Sequence, residues 1–380
     1  MTWRRFRHLL ILCVAFSASH ALASAPSPAA QALIAELGLT PSSTPISKHP
    51  SWQPQRVVVM LLPAMGTATP EFEQELKQAA GGVELVFDRS GGFVVPANLL
   101  AGADAVIGIC TPPLLQNADT RLLWIHNYSV GMEHCTGLSE TQRQRLVFSN
   151  NKRLSGPAIA EHAIAMLLAL TRNLPAYQKA QGEGQWQREL SDTVSFGELK
   201  GKTLLVVGLG GIGTEIAWRA HGLGMRVIAT RSSSREGPDF VDYVGLPDEL
   251  NTLAAKADVV ANALPLTPAT TGIFNKAFFA ALKPGAIFLS VGRGKSTVTA
   301  DLIAALESGK LFGAGLDVTE PEPLPKESLL WRLPNVIITP HVSAAGADSP
   351  RRTMIIAAEN LRRYVAGEPL LNVVDMSKGY

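Results

Sequence analysis

The stretch Leu204-Leu205-Val206-Val207-Gly208-Leu209-Gly210-Gly211-Ile212-Gly213 decides how this chain is read. An apolar run of strand character leads into a Gly-x-Gly-x-x-Gly pattern, and a helical pattern, Gly211 to Gly222, follows. In that setting Gly208 permits a tight turn, Gly210 lets the backbone approach a pyrophosphate, and Gly213 lets helix and strand pack closely. The N-terminus of the helix would attract the phosphate charge. Strand, glycine turn and helix in this order predict a dinucleotide-binding unit with contacts at Gly208, Gly210, Gly211, Ile212 and Gly213.

Working outward, strands and helices alternate on both sides of the turn. Downstream the strands are Arg226 to Thr230, Val259 to Ala263, Ile287 to Val291, Gly313 to Val318 and Val336 to Ile338, with helices at Leu246 to Lys256 and Thr299 to Ser308. Upstream, Val57 to Leu62, Val83 to Phe87, Ala105 to Cys110, Leu122 to Asn127 and Leu146 to Ser149 are short runs apolar on both faces. Such runs suit a parallel sheet covered by helices. A long apolar-striped helix opening at Pro157 suits a domain junction, and a C-terminal helix, about Arg351 to Val365, would pack back on the first domain. The expected fold is α/β, with two Rossmann-like or flavodoxin-like domains, parallel sheets and a cleft between them. Residues 56–155, completed by 342–380, would bind substrate, and 156–341 the dinucleotide.

Residues 1–23 read as a secretory signal: Arg4, Arg5 and Arg7, an apolar stretch from Leu9 to Ala18, then Ala21-Leu22-Ala23 as a cleavage site. That stretch is too short to span a bilayer, so no stable membrane insertion is expected. The address is then periplasmic or secreted, or cytoplasmic if the segment is not a functional signal. Residues 24–55, rich in Ala, Ser and Pro with one short helical patch around Ala32 to Leu37, read as a linker or surface arm.

Across its 380 residues the chain is 46% apolar, enough for a large core, and Lys and Arg total 34 against 32 Asp and Glu. Setting aside the three leader arginines leaves 31 against 32. A near-neutral chain without a basic run offers no footprint for nucleic acid. Cys13, Cys110 and Cys135 are too few for a disulfide framework. Cys110 and Cys135 are expected as two free, partly buried thiols, although an oxidising compartment would allow them to pair. His126, His134 and Cys135 lie close in sequence but lack ligand spacing, so no metal is expected.

At the end of the strand after the glycine turn, an acid usually binds a ribose 2′-hydroxyl. Here the place holds Arg231, followed by Ser232, Ser233 and Ser234. A guanidinium beside hydroxyls complements a 2′-phosphate, which favours NADP over NAD. Three further segments place a charged or titratable residue just after a strand: Val291-Gly292-Arg293-Gly294, Leu316-Asp317-Val318 with Glu322, and Thr339-Pro340-His341. Carboxyl ends of strands line the ligand crevice of an open α/β sheet. There His341 would donate a proton to a carbonyl oxygen, Glu322 would stabilise the imidazolium, and Arg293 would hold carbonyl and carboxylate oxygens. Each residue alone has an ordinary structural explanation; their joint placement makes the case.

With these segments the chain resembles the D-isomer-specific 2-hydroxyacid dehydrogenases from about Val57 to Asn372. The resemblance implies that Arg293, Glu322 and His341 are catalytic and that Asp317 binds the nicotinamide carboxamide. It adds Leu264, Pro265, Thr267, Thr270 and Val291 to the cofactor contacts, beside Arg231 and Ser232. Ser129-Val130-Gly131-Met132-Glu133 resembles the family's carboxylate-binding loop, with the N–H groups of Val130 and Gly131 as donors to substrate. Ala160-Glu161-His162 matches more loosely. Arg231 points towards the NADPH-using glyoxylate and hydroxypyruvate reductases, and the resemblance implies a homodimer. The implied partner is a small 2-oxo or 2-hydroxy acid. A protein that kept the fold only to sense the nicotinamide cofactor is the competing possibility. Adjacent Glu161 and His162 face different parts of their helix and would not form an acid-base couple on their own. Trp124 and Trp331 are more simply core than pocket.

Overall fold

Strands apolar on both faces need cover on both sides, and in the computed structural model they form two separate parallel sheets. The structure describes residues 25–376 apart from Val194 and Ser233. The expected secretory signal, 1–23, lies outside the described residues.

Helix α1 (Pro28–Leu37) precedes the first sheet. That sheet is built from β1 (Arg56–Met60), β2 (Glu84–Asp88), β3 (Ala105–Gly108), β4 (Trp124–Asn127) and β5 (Val147–Asn150). Helices α2 (Pro70–Ala80), α3 (Pro112–Asn117) and α4 (Glu140–Arg145) connect them. The order β2-β1-β3-β4-β5 is flavodoxin-like. Helices α5 (Gly156–Thr171) and α6 (Leu174–Gly182) lead to the second sheet. It comprises β6 (Thr203–Val207), β7 (Arg226–Thr230), β8 (Tyr243–Gly245), β9 (Val259–Asn262), β10 (Ala286–Ser290), β11 (Leu311–Leu316) and β12 (Val336–Ile338). Helices α7 (Gly211–Gly222), α8 (Leu250–Ala254), α9 (Lys276–Ala281) and α10 (Thr299–Glu307) connect these strands. The order β12-β11-β10-β9-β6-β7-β8 places the chain reversal between β9 and β6, beside the glycine turn.

The last helix, α11 (Asp348–Ala366), returns to the first sheet and packs on α2 and α1. Its Tyr364 stacks on Trp124 with ring centroids 4.9 Å apart, so Trp124 is core. Trp331, expected in the core, is instead half exposed, with its indole N–H donating to the Pro325 carbonyl.

Residues before β1 differ from a linker. Ser27 caps α1 by accepting from the Ala30 N–H, and Leu33, Leu37 and Leu39 are buried with Leu154, Ile356 and Leu371. Further on, the Trp52 indole N–H donates to the Tyr364 carbonyl at 2.8 Å. The helical patch expected around Ala32 to Leu37 is the second half of α1, and its two leucines, four residues apart, dock it on the fold.

The expectation of two free thiols is also corrected: Cys110 and Cys135 form a disulfide, their Cα atoms 5.1 Å apart. Cys110 lies just beyond β3, and the loop after β4 doubles back to bring Cys135 beside it, a proximity that separation in sequence does not reveal. In the chain-entropy picture, a closure spanning 25 residues stabilises the fold by about 3 kcal/mol.

Candidate active site

The glycine turn leaves β6 with Gly208 at φ +96° and enters α7 with Gly210 as N-cap. A Cβ on Gly213 would lie 2.2 Å from the Gly208 carbonyl oxygen, so only glycine allows this closeness of helix and turn. A Cβ on Gly210 would meet nothing within 4 Å, so this side of the turn is open to a ligand. The turn therefore fits a pyrophosphate at the helix N-terminus.

Arg231 follows β7 directly; its N–H donates to the Gly245 carbonyl and its guanidinium to the Glu236 carbonyl at 2.7 Å. Ser233 is outside the described residues. Two cations not anticipated from the sequence lie near this end of the sheet. The Arg153 side chain would touch a Cβ on Gly211, at 2.7 Å, and Lys152 precedes it. Burial, then the charges of Arg153 and Arg231, hold Lys152 below the usual lysine range. The available signal was a basic pair just before the junction helix.

Beyond β9, Leu264 and Pro265 open a loop that is closed by its own threonines. The Thr270 hydroxyl donates to the Pro265 carbonyl at 2.7 Å and accepts from the Thr267 N–H at 2.8 Å. Asn262 ends β9 in full burial, its amide donating to the Ser290 and Ser296 hydroxyls. Ser296 in turn donates to the Arg293 carbonyl at 2.6 Å. Asn262 thus ties the end of β9 to the arginine turn; an Asn closing an apolar strand was its only signal.

The loop after β4, expected to take the substrate carboxylate, is shaped by two asparagines that no motif singled out. The Asn127 amide donates to the Ser129 and Gly131 carbonyls, and Asn150 donates to the Val130 carbonyl. In a trans peptide the C=O of one residue and the N–H of the next point in opposite directions. Holding these three carbonyls therefore turns the N–H groups of Val130, Gly131 and Met132 away from the asparagines, in an arrangement suited to a carboxylate.

Arg293, Glu322 and His341 come from the ends of adjacent parallel strands, in a register that pairs Ser290 with Leu316 and Leu316 with Ile338. His341 Nδ1 lies 2.8 Å from Glu322 Oε2, and Glu322 Oε1 accepts from the Thr319 N–H at 3.0 Å. The carboxylate is held twice, and the imidazole is oriented by donating from Nδ1. Val291 is buried beside this site, and the Arg293 Nη1 donates to the Gly292 carbonyl. Arg293 also donates from Nε to Glu133 Oε1 at 2.7 Å, a pair that joins the two sheets.

Asp317, which the resemblance assigns to the nicotinamide carboxamide, has partners within the protein. It is buried, and it accepts from the Thr339 hydroxyl and from the N–H groups of Val342 and Ser343. Burial acts to raise its pKa, but bonds from Ser343, Thr339 and the Val342 amide together hold it below the usual carboxylate range. Its carbonyl accepts from the His341 N–H at 2.8 Å, fixing His341 in the left-handed region at φ +54°. His162 on α5 reaches Thr339 Oγ1 at 2.8 Å, while Glu161 pairs with Arg219. Among the described residues no His, Cys, Asp and Glu cluster could hold a metal, and no helix is long and apolar enough to cross a membrane.

Paired parallel sheets, a glycine turn that fits a pyrophosphate, and a carboxylate-backed imidazole and a guanidinium that follow strands of one parallel sheet suit a nicotinamide-dependent oxidoreductase of the 2-hydroxy acid type. Comparison with known proteins agrees. Residues 164–343 match the family described as D-isomer specific 2-hydroxyacid dehydrogenase, NAD binding domain. Human glyoxylate reductase/hydroxypyruvate reductase is 34% identical over 261 residues, covering 68% of this chain and 78% of that protein. A family protein from Aeromonas salmonicida has 32% identity and a TM-score of 0.70, covering 84% of this chain and 99% of that one. The NADPH-dependent glyoxylate/hydroxypyruvate reductase of Sinorhizobium meliloti, solved with NADP and sulfate, has 29% identity and a TM-score of 0.68, covering 86% and 100%. The chain belongs to the D-isomer specific 2-hydroxyacid dehydrogenase family, and it is an NAD(P)-dependent enzyme acting on CH–OH donors.

Proposed function

We propose that this enzyme reduces a small 2-oxo acid of the glyoxylate or hydroxypyruvate type to the D-2-hydroxy acid, with NADPH preferred over NADH. The observation that carries this reading is the His341–Glu322 bond, in the sheet whose strands also lead into Arg293. The nicotinamide, when bound, supplies the hydride. His341 gives the carbonyl oxygen its proton, and Glu322 stabilises the imidazolium that precedes the transfer. Arg293 and the N–H groups of Val130 and Gly131 hold the substrate's oxygens, and closure of the cleft would exclude water. Gly208, Gly210, Gly211, Ile212 and Gly213 would cradle the pyrophosphate, and Leu264, Pro265, Thr267, Thr270, Val291 and Asp317 would surround the nicotinamide half. A panel of 2-oxo acids with NADPH and NADH tests the reading; tight NADPH binding without turnover on any of them would favour a cofactor sensor instead.

The NADP preference is supported by the cations at the end of β7 and by the NADP-bound Sinorhizobium meliloti relative. Replacing Arg231 with aspartate is expected to raise KM for NADPH tenfold to a hundredfold, an effect of about 1.5–3 kcal/mol, with little change for NADH. Equal effects on both cofactors would remove Arg231 from the 2′-phosphate site.

Two further parts of the proposal are a homodimer and export from the cytoplasm. Trp186, in the segment after α6, is 93% exposed, and covering its ring with a second copy would remove that apolar area from water. The Cys110–Cys135 bond suits an oxidising compartment, which supports the secretory reading of residues 1–23.

A further inference from the structure

The loop leaving β4 carries Val130, Gly131 and Glu133, and its far end is held covalently. Cys135, whose N–H donates to the Met132 carbonyl at 2.9 Å, is bonded to Cys110. The Cys110 N–H donates to Asn127 Oδ1 at 3.0 Å. Asn127 uses its amide group on the Ser129 and Gly131 carbonyls, so one side chain touches both the disulfide segment and the substrate loop. Glu133, two residues before Cys135, accepts from Arg293 across the cleft at 2.7 Å. The ends of the Glu133 and Arg293 side chains lie directly against Gly131. A Cβ on Gly131 would lie 2.0 Å from Glu133 Oε2 and 2.3 Å from Arg293 Nη2.

We propose that the Cys110–Cys135 bond is a positioning device for the reaction. It fixes residues 129–135 so that the substrate carboxylate meets the Val130 and Gly131 N–H groups and a guanidinium aimed by Glu133. The affinity for the 2-oxo acid therefore depends on the oxidation state of this pair. The proposal rests on the 2-oxo acid reading of the site. The dinucleotide turn belongs to the other sheet, so the cofactor is insensitive to the bond. Displacements near 1 Å in groups that hold a substrate cost orders of magnitude in rate, and a loop kept only by hydrogen bonds admits them. Opening the bond takes a dithiol: a thiolate attacks one cysteine sulfur and the S–S bond breaks. The mixed disulfide then closes to a cyclic disulfide, and two electrons and two protons end on Cys110 and Cys135.

The test measures KM and kcat for the 2-oxo acid, and NADPH affinity by fluorescence, on the purified full chain. It does so as isolated, after dithiothreitol, after re-oxidation, and in the Cys110→Ala/Cys135→Ala variant. Reduction and the double variant are expected to raise KM about tenfold or more while NADPH affinity stays constant. Re-oxidation restores only the parent chain, and dithiothreitol leaves the variant unmoved. Peptide mapping reports the state of the bond in each sample. Identical KM with the bond closed and open overturns the proposal. If the variant also loses NADPH affinity, the parent chain decides: a KM that rises on reduction and recovers on re-oxidation supports the proposal, and one that does not move overturns it. NADPH binding without turnover in any state would overturn the reductase reading, and this proposal with it.

Discussion

Replacing His341 with alanine is expected to lower kcat for reduction of the 2-oxo acid by about a thousandfold, roughly 4 kcal/mol at the transition state, with NADPH affinity preserved. In the proposed reaction the imidazole gives its proton to the carbonyl oxygen, and the other groups assigned to the site would hold substrate without supplying that proton. The 2.8 Å bond from Nδ1 to Glu322 leaves Nε2 as the nitrogen that transfers it. His341 sits at φ +54°, where alanine is strained but asparagine is tolerated. A second variant, His341→Asn, therefore keeps the turn and removes the acid, and it is expected to lose as much as alanine does. Stopped-flow measurement of NADPH oxidation checks both. Turnover within tenfold of the parent in the asparagine variant would take His341 out of the proton transfer, because its backbone bonds to Asp317 and Thr339 would be intact.

The parts of this site legible in the sequence are those that local pattern controls. Gly208, Gly210 and Gly213 stand between an apolar run and a helical one, and strand, turn and helix occupy the positions that order predicts. Arg293, Asp317, Glu322 and His341 each follow a strand, and parallel neighbours bring strand ends together. What stayed hidden depends on distance along the chain. Glu133 and Arg293 are 160 residues apart, and only the folded loop aims one at the other. Asn127 and Asn150 look like ordinary strand ends until their amides are seen to set three carbonyls. Lys152 and Arg153 carry no motif in the sequence, yet the turn between β5 and α5 sets the Arg153 side chain against the start of α7. The disulfide was missed for the same reason, because Cα separation is a property of the tertiary fold.

Arg293→Ala is expected to reduce kcat/KM by about a thousandfold, since the proposed role of its guanidinium, binding both oxygens of the substrate, acts in the ground state and the transition state. Arg293→Lys keeps the charge but loses the planar fork that reaches Glu133 through Nε and Gly292 through Nη1, so it should recover only part of the loss. Glu133 makes the alanine result informative. With its guanidinium gone, the Glu133 carboxylate stands unpaired beside Gly131, where the anionic substrate is proposed to bind, and like charges oppose each other there. Adding Glu133→Gln to Arg293→Ala should therefore lower KM relative to Arg293→Ala alone. In the parent chain the same Glu133→Gln change should raise KM, because it releases the arginine. Opposite signs in the two backgrounds correspond to a coupling on the order of 1–2 kcal/mol, well beyond the scatter of independent sites. The four-variant cycle, read as KM and kcat at fixed saturating NADPH, measures it. Additivity within about 0.5 kcal/mol would mean that the 2.7 Å bond between the two sheets has no part in placing the substrate.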